Sequence, residues 1–220
     1  MIDWAYIWEA VPDLINGLGM TLLVSFLAII FSLLAGAVGC ALRVSSVKAL
    51  NYLIAAYVEF IRGTPYLVQV FFVFYGLPSL GLKLSIFWSG VVALSIWASA
   101  FHIESFRAGL TSVSKDIRNA SASLGLRAWH HGLFVVFPIA ARSALPSTLN
   151  TVVSTIKNSA YLQAIGLVEL TFVAVDRIAY EFRSIEMFLA ICVIYLAVVL
   201  VVSALGHRLE RRLDRPYVGR

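Results

Sequence analysis

Five apolar runs, each long enough to cross a bilayer, constrain this 220-residue chain more than any other feature. A spanning helix needs roughly 20 mostly apolar residues. The runs extend from about Asn16 to Leu42, from Leu50 to Leu77, from Ile86 to about Phe106, from about Ser143 to Gly166, and from Met187 to Leu205. Gly63 and Pro65 interrupt the second, and the fourth is the most polar. Charged residues make up 13% of the chain, against about 25% in a soluble domain. That supply cannot cover a water-facing surface of this size, so hydrocarbon must be the solvent for most of it. The expectation is an all-α integral membrane protein with about five transmembrane helices in one bundle.

Lysine and arginine counts set the orientation. With the N-terminus outside, the inner side holds Arg43, Lys48, Lys115, Arg118, Arg127, Arg142 and the arginines from Arg208 to Arg220. The outer side holds only Lys83, Arg177 and Arg183. This asymmetry requires an odd number of spans, which five supplies. Residues 1–15 then form an outer segment, 16–206 the transmembrane domain, and 207–220 a basic inner tail. The net charge of +5 follows from this topology, and no nucleic-acid partner is expected. Met1-Ile2-Asp3-Trp4 lacks the basic start of a cleavable signal, so the first run is expected to stay as an anchor. Ala35, Gly36, Gly39 and Cys40 form small-xxx-small pairs, read as packing within one subunit. Cys40 and Cys192 lie in apolar runs without metal-site spacing and are expected as small buried residues. His102, His130 and His131 are expected at the interface, and no metal site is expected.

The inner loop from about Arg107 to Arg142 is long for a compact domain. Asp116 can cap a helix, Ile117, Ala120, Ser121 and Leu124 recur on one helical face, and Gly125 is a suitable stop. Arg118 and Asn119 fall on the exposed face. Such a helix can lie on lipid or enter a groove on an inner partner, and periodicity does not choose between them.

From Ser114 to Gly125, followed thirteen residues on by Pro138, the loop resembles the "EAA loop" of importer permeases in the ATP-binding-cassette superfamily. Asn119 stands at the usual glutamate and Ser121 at the second alanine. Glu59–Gln69 resembles the "fRGTPlLvQ" signature of the polar-amino-acid branch, the histidine- and glutamine-permease type. Glu104–Leu110 and Thr155–Leu162 are similar to that branch's "EifRgGi" and "lIKdSsLv". The resemblance implies a multi-pass permease subunit of the bacterial inner membrane, with a periplasmic N-terminus and a cytoplasmic C-terminus. It implies a second permease subunit, a periplasmic amino-acid-binding protein and a cytoplasmic ATPase dimer as partners, with a polar amino acid as cargo. Asp116, Ile117, Asn119, Ala120, Ser121, Leu124, Gly125 and Pro138 would belong to the coupling region within residues 108–138. ATP and magnesium would bind the partner ATPase, since this chain has no Gly-Lys pair and hence no phosphate loop. No cofactor is expected on the chain itself.

Charged residues inside a membrane are costly and mark pathways. Glu59 and Arg62 lie at i, i+3 and can pair, and Glu104 and Arg107 repeat the spacing. Lys157 has no acid within four residues and follows Asn150, Thr151, Ser154 and Thr155. Lys157, Asn158 and Ser159 are therefore expected to line a polar path, unless Lys157 snorkels to the outer interface. Gln69 and Tyr161 are further polar candidates, with Glu59, Arg62 and Glu104 on the same path. A self-contained channel or secondary transporter is the competing class, and the lack of an inverted repeat weighs against it. The chain has no HExxH or GxSxG motif and no paired catalytic carboxylates, so no enzyme is expected.

Overall fold

The computed structural model describes residues 2–214. The helices are α1 (Trp4–Arg43), α2 (Lys48–Gly63), α3 (Tyr66–Ser79), α4 (Ile86–Thr111), α5 (Lys115–Ser123), α6 (Ala128–Ile165), α7 (Leu170–Glu181) and α8 (Ser184–Asp214). By length and composition α1, α4, α6 and α8 can each cross a membrane, and α2 with α3 passes the same test as a bent pair, which taken as one span gives five.

α1 begins twelve residues before the expected Asn16. Asp3 caps it by accepting the Tyr6 N–H at 3.2 Å. The early turns are held because Ala10 and Leu14 are buried against Met187, Ala190 and Ile191 of α8. α6 likewise begins well before Ser143. Its first turns include a π turn at His131–Val136, two residues before Pro138, whose ring removes one helical donor. α8 extends through the start of the basic tail to Asp214, and residues 215–220 of that tail lie outside the described residues.

The bend between α2 and α3 is 109°. Pro65 lacks a donor and disfavours helical geometry at Thr64, which is extended at φ −110°, ψ 144°. The carbonyls freed by the break are still satisfied. Gln69 Nε2 donates to Ile61 O (2.8 Å) and Thr64 O (3.2 Å), and Thr64 Oγ1 donates to Phe60 O (2.9 Å). In hydrocarbon an unmet carbonyl costs several kcal/mol, so a break needs such a cap.

α1 and α4 run parallel. A Cβ at Gly36 would lie 2.6 Å from His102 Cβ, and one at Gly39 would meet Ile103. These glycines therefore pack helices within the chain. The same contact corrects the expectation for His102, which is fully buried rather than interfacial. Its ring stacks on Phe106, 5.8 Å between centroids, and among the described residues neither nitrogen has a partner. α6 runs antiparallel to α4. Gly109 seats on Ala140 and Ala144, Ser105 Oγ meets Ser147 Oγ at 2.7 Å, and Leu162 covers Gly90.

Leu196, Leu200, Val201 and Leu205 on α8 are exposed. Cys192 is on this helix and is exposed as well, which corrects its expected burial, whereas Cys40 is buried. An apolar face open over that length suits lipid and not water.

Candidate functional site

Two regions carry the candidate residues. The first is α5, which begins one turn after the Thr111 end of α4. Its cap is Ser114, not Asp116: Ser114 Oγ accepts the Ile117 N–H at 3.3 Å, and its carbonyl accepts the Arg118 N–H at 3.2 Å. Asp116 instead stands in the first turn, where a carboxylate favours the positive helix end. The helix closes at Ser123, so Leu124 and Gly125 follow it as a turn. Gly125 has φ +68°, a conformation that suits glycine.

The expected single face divides in the structure. Ser121 is buried, while Ile117, Ala120 and Leu124 are exposed, as are Arg118 and Asn119. Two tethers account for this. Arg118 Nη2 and Nε donate to Leu110 O (2.7 Å) and Val113 O (3.3 Å) at the end of α4. Ser121 Oγ meets His131 Nδ1 of α6 at 2.6 Å. Helix α5 is thus fastened to α4 on one side and α6 on the other, and Ile117 and Ala120 point away from the bundle. Arg118 was expected only as an exposed charge; its use became visible when folding placed two unmatched carbonyls beside it.

The second region lies higher in the bundle. Ser147 is level with Ser105 and Leu162 with Gly90, so Lys157 falls near the level of Ser95. That is about 14 Å from the Ile86 end of α4 at 1.5 Å per residue. Lys157 is exposed on the chain's surface and has no acidic partner among the described residues. Asn158 is half-buried beside it. Ser159 is fully buried and donates to Ile156 O at 2.7 Å, so it faces inward.

Tyr161 begins an aromatic ladder that no sequence pattern announced. Its ring lies 5.8 Å from Tyr66, Tyr66 5.9 Å from Trp97, and Trp97 4.6 Å from Phe101. The Arg62 guanidinium closes the series 5.2 Å above Phe101, a cation–π contact. Arg62 therefore turns toward α4. Among the described residues no ion pair joins it to Glu59, which is exposed, and the expected pair is corrected. The Glu104–Arg107 pair does form, at 2.6 Å and through both Nε and Nη2. Gln69 stays with the helix break, its amide donors fully used. Ladder and break place Tyr161, Arg62 and Gln69 along the α2–α3–α4 wall.

A further buried group was not anticipated. Glu169 is wholly inaccessible and caps α7. It accepts from Thr171 N (3.0 Å), Phe172 N (2.8 Å), Tyr195 Oη (3.1 Å) and Thr21 Oγ1 (3.3 Å). Thr21 Oγ1 also accepts the Leu170 N–H at 3.1 Å. Burial pushes the Glu169 carboxyl above its ordinary range, while these hydrogen bonds pull it down. The network joins α1, α7 and α8. The only sequence signal for it was an acid directly before an apolar helical run.

A family model described as "Binding-protein-dependent transport system inner membrane component" matches residues 28–215. The glutamine transport system permease protein GlnP of Escherichia coli K12 is 36% identical over 213 residues, covering 96% of this chain and 97% of that protein. The probable amino-acid permease protein YxeN of Bacillus subtilis 168 is 30% identical over 219 residues, covering 98% of each. A solved amino acid ABC transporter with histidines superposes with a TM-score of 0.90 at 33% identity, over 96% of this chain and 99% of that one. The inward-facing MetNI methionine ABC transporter shares the fold, with a TM-score of 0.72 at 18% identity over 96% and 99%.

Proposed function

The chain belongs to the family of binding-protein-dependent transport system inner membrane components, and from that premise we propose that it is the permease subunit of an importer for polar amino acids, worked through α5 by a cytoplasmic ATPase dimer. It is a multi-pass membrane transport subunit; ATP hydrolysis in this family belongs to a separate chain. The proposal adds the orientation, with the N-terminus periplasmic, a second permease copy or sister completing the path, and a periplasmic binding protein delivering cargo. Similarity to amino-acid permeases over nearly the whole chain supports the cargo class.

One observation carries the coupling: α5 is doubly tethered yet leaves Ile117, Ala120 and Leu124 unpartnered. A push on that exposed side reaches α4 through Arg118 and α6 through Ser121–His131. Helix α6 continues from the tether to Lys157 and Tyr161, so displacement of its inner end alters the wall where those residues stand. The π turn at His131–Val136 is a natural place for that motion to be absorbed or passed on. Asp116, Asn119, Gly125 and Pro138 shape or flank this lever. Asn119 supplies no carboxylate, so recognition of the ATPase rests on apolar fit more than on an ion pair at that position.

On the path, the Lys157 ammonium meets the α-carboxylate shared by all amino acids, with Asn158 beside it and Tyr161 as an apolar-edged wall. Ser159 and Gln69 hold the backbone around the path, and Arg62, Glu59 and Glu104 set its charge toward the inner end. Lys157→Ala should raise the KM for uptake about tenfold, the loss of one charge-assisted hydrogen bond, while leaving assembly unchanged. Unaltered uptake would return Lys157 to an interfacial anchor. The overall reading is tested by purification: the chain should bring down an ATPase and be transport-silent alone in liposomes. Solute movement by the isolated chain would favour the self-contained channel.

A further inference from the structure

Away from α5, at the other end of the bundle, α1 and α7 part around a cavity of 660 Å³. None of the path or lever residues lines it. Its walls are apolar, formed by Met20, Leu23 and Phe172, with Gly19 at its side. Its rim is charged and carries both signs: Asp13, Asp176 and Arg177, with the Asn16 amide between. Arg177 donates to Asp13 at 2.7 Å and approaches Glu181 at 3.6 Å. These carboxylates hold its guanidinium above its already high ordinary range, so it stays charged. Asp176 is exposed and has no partner among the described residues. The rim therefore has an excess of negative charge and an unmatched carboxylate.

Ten positions separate Asp13 from Leu23, about 15 Å along the helix. Over that distance the cavity passes from charged to wholly apolar, as the bilayer does between headgroup and acyl chain. A free amino acid would satisfy the rim and leave the apolar wall empty. A simple anion would meet two acids. A quaternary ammonium has no hydrogen to give Asp176. We propose that this cavity holds a zwitterionic phospholipid with a primary ammonium headgroup. The ammonium donates to Asp176, the phosphate accepts from Asn16 and the outer edge of Arg177, and an acyl chain lies along Met20, Leu23 and Phe172.

Two substitutions separate the parts of this site. Asp176→Asn removes the charge that selects the ammonium. Gly19→Leu fills the cavity, and a Cβ at Gly19 meets no atom within 4 Å, so the fold has room for it. The test is lipid retention by the full-length chain, measured by native mass spectrometry after exposure to phosphatidylethanolamine, phosphatidylcholine and phosphatidylglycerol of matched chains. The wild type should retain phosphatidylethanolamine about fivefold over phosphatidylcholine, the scale of one exposed ion pair. Asp176→Asn should bring that ratio close to one while total retention persists. Gly19→Leu should abolish retention of both without changing the thermal transition. Equal retention of the three lipids by the wild type, or a ratio unmoved by Asp176→Asn, would overturn the proposal. So would a cysteine at position 19 that cross-links to a second copy of the chain.

Discussion

Glu169→Ala should destabilise the purified chain by about 3 kcal/mol, because it strips the acceptor from two backbone N–H groups and two hydroxyls, each worth roughly 0.5–1 kcal/mol net. At this chain length that corresponds to a fall in Tm of roughly 6–12 °C. The loss should concentrate where the network acts, on the docking of α7 and α8 against α1. Glu169→Gln should cost less, about 1 kcal/mol, since one oxygen can still accept from the Phe172 N–H. The two variants also separate charge from shape. The folded state raises the carboxyl above its ordinary 4.5, so folding favours the protonated form. That contribution is complete below 4.5 and is lost as pH rises through the folded value. The wild type should therefore lose stability relative to Glu169→Gln as pH is raised from the carboxylate range to neutrality. Thermal unfolding in detergent at stepped pH measures this. A flat difference between wild type and Gln would show that burial does not shift this carboxyl.

Gly125→Val should leave insertion and ATPase docking intact and sever hydrolysis from uptake. Gly125 holds φ +68° in open space, where an added side chain strikes nothing. The penalty is therefore conformational, at least 1–2 kcal/mol for a residue with a Cβ and more for a β-branched one. The turn relieves it by leaving the left-handed region, which redirects the chain between α5 and α6. Ser121 and His131 then lose their 2.6 Å contact, and with it the link from the lever to α6. Uptake should fall about tenfold or more, the population change that such a penalty produces. ATP hydrolysis by the assembled complex should persist. Normal uptake would mean that the turn at Gly125 does not transmit force, and lost ATPase association would mean that it forms part of the docking surface itself.

The five spans were legible because transfer into hydrocarbon is a sum over residues, and about 20 apolar positions suffice to declare it. The break in the second span was legible for a local reason: Gly63-Thr64-Pro65 cannot continue a helix. The short helix α5 and the turn at Gly125 were visible in the same way. What escaped were contacts between segments distant in sequence. The cap at Ser114 instead of Asp116 depended on where α4 released the chain. Arg62 turned from Glu59 to Phe101 because α2 crosses α4 there. His102 was drawn inside because Gly36 lets α1 pack closely against the His102 backbone and Cβ. α1 reaches back to Trp4 because α8 offers an apolar face to Ala10 and Leu14.

Hydropathy, helix-breaking chemistry and motif resemblance, all readable along one dimension, determined that this chain is a membrane bundle with a short helix between two of its spans and marked its candidate residues. Only the tertiary structure decided which of those residues are free. Gln69 and Ser159 are engaged with backbone, Lys157 stands exposed on the chain's surface, and Ile117, Ala120 and Leu124 face outward. It also decided that Glu169 is the buried junction of three helices. The physical reason is that a polar group's role depends on which partners lie within about 3 Å of it, and those partners arrive from residues as far as 164 positions away.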